Sequence, residues 1–256
     1  MSRIVTWSIV NNEIDFIKDI LDYHLSWVDG MYVLDTGSTD GTLEFLREYN
    51  DPRVIIEEYP VKYKTQYDKN WHEMDDPFPE VVVRNYALDR TSHFFQPDWL
   101  VQLDGDEVFL DTTREIIEQN EKMVSCIGHS TINPVCKLEE HPLEMRQDVV
   151  LYDPHVRIWR DRQEIKYIEN PAFNGKQYHC IPTFHGMHLF HHPFVKFVGQ
   201  PAHFHLHWMY GYKVDSFFLN KGISNKSDIL KEQALHSYSE YLPVLFWQRR
   251  QEWLDR

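Results

Sequence analysis

A chain of 256 residues is long enough for one large domain or two small ones with a real apolar core. Its formal charge of −14 argues against duplex nucleic acid as the main partner, because phosphate backbones select basic surfaces; a small anion brought in with a divalent cation is still allowed. Cys126, Cys136 and Cys180 are odd in number and lack metal-type spacing, which predicts buried thiols in a reducing compartment. The N-terminus reaches polar Asn11-Asn-Glu13 too soon for a signal peptide or a span, and no later apolar run is long enough to cross a bilayer. The expectation is a soluble, cytoplasmic protein.

Arg3 to Val10 is β-branched and predicts a first strand, after which Asn12 is placed to cap a helix with Ile14, Ile17, Ile20, Leu21, Leu25 and Val28 at helical spacing. Met31 to Leu34 predicts a second strand, ending on Asp35-Thr-Gly-Ser-Thr-Asp-Gly-Thr42, a run of turn and cap residues. A helix with Leu43, Phe45 and Leu46 inward follows, then a third strand over Arg53 to Ile56. This alternation is the βαβ pattern of a parallel sheet, whose ligands bind beyond the carboxyl ends of the strands. Residues 59 to 78 form an aromatic, irregular loop, and Val81 to Arg90 predicts a helix carrying Arg84 and Asn85.

Trp99 to Leu103 is nearly all apolar, as in a strand covered on both faces of a parallel sheet, and it stops on Asp104-Gly-Asp-Glu107. Three carboxylates at a buried strand end repel one another unless a cation or donor compensates them. Hard oxygen donors of this kind suit Mg²⁺ or Mn²⁺ bridging substrate phosphates; an acidic turn into the helix near Thr112 is the plainer alternative. Gly105 removes side-chain bulk so that backbone and ligand can approach closely. A helix from Thr112 to about Lys122, a strand over Met123 to Ile132 and two extended segments flanking Asp153-Pro154 complete this part. Residues 170 to 207 show no clear period, and helices are expected over 212–219, 227–236 and 242–254.

Five stretches carry a family resemblance: Val10-Asn-Asn-Glu13, Tyr32-Val-Leu-Asp-Thr-Gly-Ser-Thr-Asp-Gly-Thr42, Val83-Arg-Asn-Tyr-Ala-Leu88, Trp99-Leu-Val-Gln-Leu-Asp-Gly-Asp-Glu107 and Arg157-Ile-Trp-Arg160. In this order they resemble the family-two-like glycosyltransferases of GT-A fold, especially the bacterial branch that adds sugars to lipopolysaccharide cores. The resemblance implies an α/β, Rossmann-like, mixed and mostly parallel sheet with flanking helices over residues 1–210, and a helical extension over 211–256 packed on the same domain. It implies transfer of a sugar from a nucleotide-sugar donor, UDP- or GDP-linked, to a glycan or glycolipid hydroxyl, with inversion. Asp35 would hold the base, Glu13 would lie against the same nucleoside, Arg84 would reach the diphosphate and Asp104 the ribose. Asp106 of this Asp-x-Asp motif would ligate Mn²⁺ or Mg²⁺, with Glu107 behind it. Ser38 and Asp40 are read instead as caps of the following helix.

Eight of the fifteen histidines lie between His179 and His207. They admit a zinc site of their own, a hydrogen-bonded aromatic wall, or, as the resemblance implies, one further ligand to the same metal, with His207 first and His205 as the alternative. The branch often carries a His-Glu pair after the Arg-x-x-Arg stretch; here the region reads Tyr167-Ile-Glu-Asn-Pro-Ala-Phe-Asn174, and Glu169 and Asp153 are the nearest carboxylates for a catalytic base. Phe246, Trp247 and Trp253 beside Arg249 and Arg250 are expected to pack on the domain or a second subunit, with peripheral membrane contact as the most a lipid-linked acceptor would ask. A metal-dependent nucleotidyltransferase and a non-catalytic carbohydrate-binding protein are the competing functions. The first expects a glycine-rich basic loop after the first strand, and the second has no use for Arg84 or Asp35.

Overall fold

The computed structural model describes residues 1–60, 80–133, 151–161, 164–169 and 180–205. The chain divides into two compact units. The first comprises Met1–Gly105, Arg114–Gly128 and Val156–Phe197; the second takes Asp106–Thr113 and the described parts of His129–His155 and Val198–Arg256. The expected boundary at residue 210 falls outside the described residues.

In the first unit, β1 (Ile4–Val10), β2 (Gly30–Asp35), β3 (Val54–Glu58) and β4 (Trp99–Gln102) run parallel in the order β3-β2-β1-β4. The β-branched and aromatic residues of β1 and β2 suit a pleated surface covered on both faces, and nearly every residue of the two strands is buried. The expected α/β architecture is present, and the sheet is mixed: β7 (Leu151–Arg160) pairs antiparallel with β4 through Trp99↔Arg160 to Val101↔Ile158, and β6 (Cys126–Asn133) and β11 (Val195–His205) follow in order. The two extended segments around Pro154 are one strand. A smaller antiparallel sheet is built from β8 (Ile165–Glu169), β9 (Cys180–Phe184) and β10 (Met187–His188), in the stretch that shows no period in sequence.

The α-helices among the described residues are α1 (Ile17–His24), α2 (Thr42–Glu48), α3 (Glu80–Phe95) and α4 (Thr112–Asn120). α3 packs on β1, β2 and β8 and is longer than its apolar pattern suggests. Its buried residues Val83, Ala87, Leu88, Thr91 and Phe95 form one stripe, and the Phe95 ring occupies the space a Cβ on Gly30 would need, at 2.4 Å. The core gathers Trp7 edge-on to Trp159 and Tyr167, with Tyr32, Leu34 and Leu100. Asn12 does not cap α1. The helix starts at Ile17 behind Phe16, with no side-chain cap, and Asn12 adopts φ 60° and bonds elsewhere. Cys126 and Cys180 are free thiols, Cys126 buried as expected and Cys180 only partly so, and no described helix is long and apolar enough to cross a membrane.

α3 is also tied to the sheet by charge. Arg90 donates to both oxygens of Glu57, Tyr32 Oη donates to Glu57 Oε2 at 2.6 Å, and the guanidinium lies over the Phe94 ring. Hydrogen bonding from Arg90 holds the Glu57 carboxyl below its ordinary value of 4.5, against burial and with help from Tyr32. A depressed folded pKa gives stability that is present above the unfolded value and lost as pH falls through the folded one. The thermal midpoint of the wild type minus that of Glu57→Gln is therefore expected to shrink between about pH 7 and about pH 3. A difference that stays constant over that range would show that the pair contributes nothing through ionisation.

Candidate functional site

Parallel pairing sets Val10 of β1 beside Asp35 of β2, and Trp7 beside Gln102 of β4, so the segments after all three strands leave from one edge. The first two segments are laced together. Asn12 N donates to Ser38 Oγ at 2.9 Å, Glu13 N to Thr42 Oγ1 at 2.9 Å and Ile14 N to Asp40 Oδ2 at 3.1 Å. In return Thr39 N donates to Asn12 Oδ1 at 2.7 Å, and the Thr36 backbone and hydroxyl both donate to the Val10 carbonyl. Asp40 also accepts from Thr42 N at 3.0 Å and so serves the start of α2, as expected of a cap, whereas Ser38 spends its hydroxyl on Asn12. Gly41 stands at the helix start with φ 103°, a conformation that favours glycine.

Asp35 is 1% exposed. Its Oδ1 accepts from Gly37 N at 2.8 Å and Ser38 N at 3.0 Å, which closes the turn after β2. Its Oδ2 is buried and meets no donor among the described residues. A buried carboxylate oxygen in that state costs several times what an ordinary hydrogen bond contributes, about 1–3 kcal/mol or more for a charged group.

Asp104 is held by two cations from different elements. Arg84 Nη1 of α3 donates to Oδ1 at 3.3 Å, and Arg157 Nη1 of β7 donates to Oδ2 at 2.9 Å. Arg84 Nε donates in turn to Glu80 at 2.7 Å. The Gln102 carboxamide is oriented by these neighbours: its oxygen accepts from Arg84 Nη1 at 2.6 Å and Arg157 Nη1 at 2.7 Å, and its nitrogen donates to the Tyr167 hydroxyl. Burial would depress the Arg84 pKa, but the Asp104 and Glu80 carboxylates outweigh it and keep the guanidinium charged. Burial pushes the Tyr167 hydroxyl well above its ordinary range, and burial with Glu80 pushes the Cys180 thiol up to about 12 against the pull of Arg84. Both are therefore neutral beside a paired set of charges. Asn85 clips β8 over this cluster, donating to the Tyr167 carbonyl at 2.9 Å and accepting from Tyr167 N at 2.8 Å.

Gly105 matters for a reason the sequence does not show. A Cβ there would lie 2.8 Å from Glu13 Cγ and 3.0 Å from Val10 Cγ1, so the close approach is by the first strand and its following segment. Glu13 is buried, and its stem lies against the backbone that carries Asp104. Glu13, Asp35 and Asp104 thus share one edge of the first unit.

Asp106 and Glu107, both buried, open the second unit. The acidic segment continues into a short strand absent from the sequence reading, β5 (Glu107–Phe109), which pairs antiparallel with β11 through His205↔Glu107 and His203↔Phe109. The His129 ring stands edge-on to Phe109 at 5.2 Å. The backbone register thus sets His205 across from the residue after Asp106. His207 lies outside the described residues, Asp153 falls in β7, and Glu169 is exposed at the end of β8 opposite Cys180. Among the described residues no group of three or more His, Cys, Asp or Glu is arranged around a metal position. The sequence reading gave no role to Gln102, Arg157 or Tyr167. Only the buried polar Gln102 inside an apolar strand signals them.

Solved structures similar to this chain include forms of S. aureus TarS. S. aureus TarS 1–349 matches with a TM-score of 0.46 at 14% identity, over 89% of this chain and 69% of that one. The same fragment in complex with UDP-GlcNAc matches with 0.47 at 14%, over 79% and 58%, and in complex with UDP with 0.47 at 13%, over 90% and 70%. No family model and no curated relative matches the sequence.

Gly105→Ala is expected to displace Glu13 and lower stability by about 1–3 kcal/mol in a urea titration, the usual cost of overpacking. Shortening the neighbour in Gly105→Ala/Glu13→Ala should recover part of that loss. Strict additivity of the two changes would mean that the contact is not what excludes a side chain.

Proposed function

We propose that the protein is a GT-A-type glycosyltransferase that moves a sugar from a nucleotide-sugar donor to an acceptor hydroxyl. The observation that carries the reading is Asp35, whose Oδ1 is consumed by the Gly37 and Ser38 amides while Oδ2 stays buried with no donor among the described residues at the end of β2. An N–H on the edge of a nucleobase, such as the imide of uracil, is a group that such an oxygen would select. Glu13 then lies along the nucleoside, and Asp104, next to it across Gly105, takes the ribose. Arg84 has Nε and Nη1 engaged, and Nη2 is the arm left for the diphosphate.

Transfer forms a bond between the acceptor oxygen and the anomeric carbon and breaks the bond from that carbon to the phosphate oxygen, which departs with the electron pair. The acceptor proton goes to a carboxylate, for which Glu169 and Asp153 are the candidates, and in-line attack inverts the centre. A divalent cation, Mn²⁺ or Mg²⁺, would be held by Asp106 with His207 or His205, and would neutralise charge growing on the diphosphate. Buried Asp106 and the pairing of β5 with β11 support that ligand set. A glycan or glycolipid is the acceptor class this reading retains.

Asp35→Asn keeps an oxygen for Gly37 and Ser38 and turns the other acceptor into a donor. Calorimetric titration of UDP, GDP and CDP is expected to show one of them binding the wild type, and at least about tenfold weaker binding to Asp35→Asn with an unchanged thermal midpoint. Binding that survives the substitution would remove Asp35 from the base site. Asp106→Asn should abolish sugar transfer and the metal dependence of nucleotide binding; full activity in that variant would exclude the acidic strand end from the reaction.

A further inference from the structure

Arg157 is the second cation on Asp104 and has no part in the bond changes of transfer. Its position is over-determined: Nη1 donates to Asp104 Oδ2 at 2.9 Å and to the Gln102 oxygen at 2.7 Å, and Gln102 is in turn held by the Tyr167 hydroxyl. Arg84 repeats the arrangement on the other side, donating to Asp104 Oδ1 and to the same Gln102 oxygen. One amide oxygen therefore seats both guanidiniums, and each guanidinium takes a different oxygen of one carboxylate. A carboxylate gripped at both oxygens cannot turn about its Cβ–Cγ bond without breaking a charge-assisted hydrogen bond. The side chains of Arg84 and Arg157 are 15% and 13% exposed, against 24% for Asp104.

We propose that Arg157, seated by Gln102, is a positioning residue that aligns both Asp104 oxygens with the 2′- and 3′-hydroxyls of a ribose. The site is thereby selective for ribonucleotides over 2′-deoxyribonucleotides. The inference rests on the nucleotide-sugar reading and narrows it to ribonucleoside diphosphate sugars. A carboxylate locked in plane presents its oxygens as a pair, which matches two vicinal hydroxyls. Loss of one hydroxyl removes one of the two hydrogen bonds that the fixed carboxylate is aligned to accept, and sites built to hydrogen-bond a hydroxyl reject analogues that lack it. A freely turning carboxylate would follow whichever hydroxyl remained.

The test titrates UDP, GDP and CDP, each beside its 2′-deoxy counterpart, into the full chain with Mn²⁺ present. The nucleotide that binds is expected to do so at least about tenfold more tightly than its deoxy form. In Arg157→Gln and Gln102→Met that ratio should fall towards one, mainly through weaker binding of the ribonucleotide. Should Arg157→Gln fail to fold, Gln102→Met, which removes the common seat and leaves both cations, carries the comparison. Equal affinity of the wild type for the ribo and deoxy forms overturns the inference and leaves the nucleotide reading standing. A ratio unchanged in folded Gln102→Met also overturns it and makes the cluster a brace of the fold. Binding of none of these nucleotides overturns the nucleotide reading itself, and the inference with it.

Discussion

Parallel pairing of β2, β1 and β4 is the constraint on which the site depends. Strands that run the same way and pair in register must release their following segments at one edge. Polar groups at three distant places in the sequence are thereby forced together where backbone ladders end and donors and acceptors need new partners. Two of the segments solve this by bonding to each other. The Asn12–Ile14 backbone and the side chains of Ser38, Asp40 and Thr42 form a hydrogen-bonded lattice, which is why these small polar residues stand at the carboxyl ends of strands rather than in solvent.

The third segment is solved by charge. Asp104 would be costly on a covered strand end, and removing one member of a buried ion pair costs about 3–5 kcal/mol. Here one carboxylate draws on two guanidiniums, and Glu80 and Gln102 take up the remaining positive field. The cluster is near neutral as a whole. It is built less to attract an anion from a distance than to hold one acceptor in a fixed direction. That distinguishes it from Asp35, where one oxygen is spent on the turn and the other is buried with no donor among the described residues.

Packing enforces the same geometry from below. Trp7, Trp159 and Tyr167 meet edge to face beneath the cluster, so the ring that supplies the hydroxyl for Gln102 is also a core residue. The small sheet that carries Tyr167 is fastened to α3 by Asn85, which follows Arg84 and clips the Tyr167 backbone with both ends of its amide. Gly105 completes the fit by letting Val10 and Glu13 close against the acidic strand end.

The amino-acid sequence by itself determined the elements whose signal is local. Apolar runs marked β1, β2 and β4, the buried stripe of α3 was visible in part, and Asp35 and Asp104 stood out as carboxylates ending apolar strands. It could not determine partners that depend on distance in space. Asn12 has the composition of a helix cap, yet tertiary lacing to Thr39 outweighs that local preference. β5 is three residues long and, among the described residues, pairs with β11, nearly a hundred positions away, so no periodicity could announce it. Arg157 resembles any arginine on an extended segment until antiparallel pairing of β7 with β4 sets it beside Asp104. Local propensity is written in neighbouring residues; the grip of two guanidiniums on one carboxylate exists only after the sheet has brought α3, β4 and β7 together.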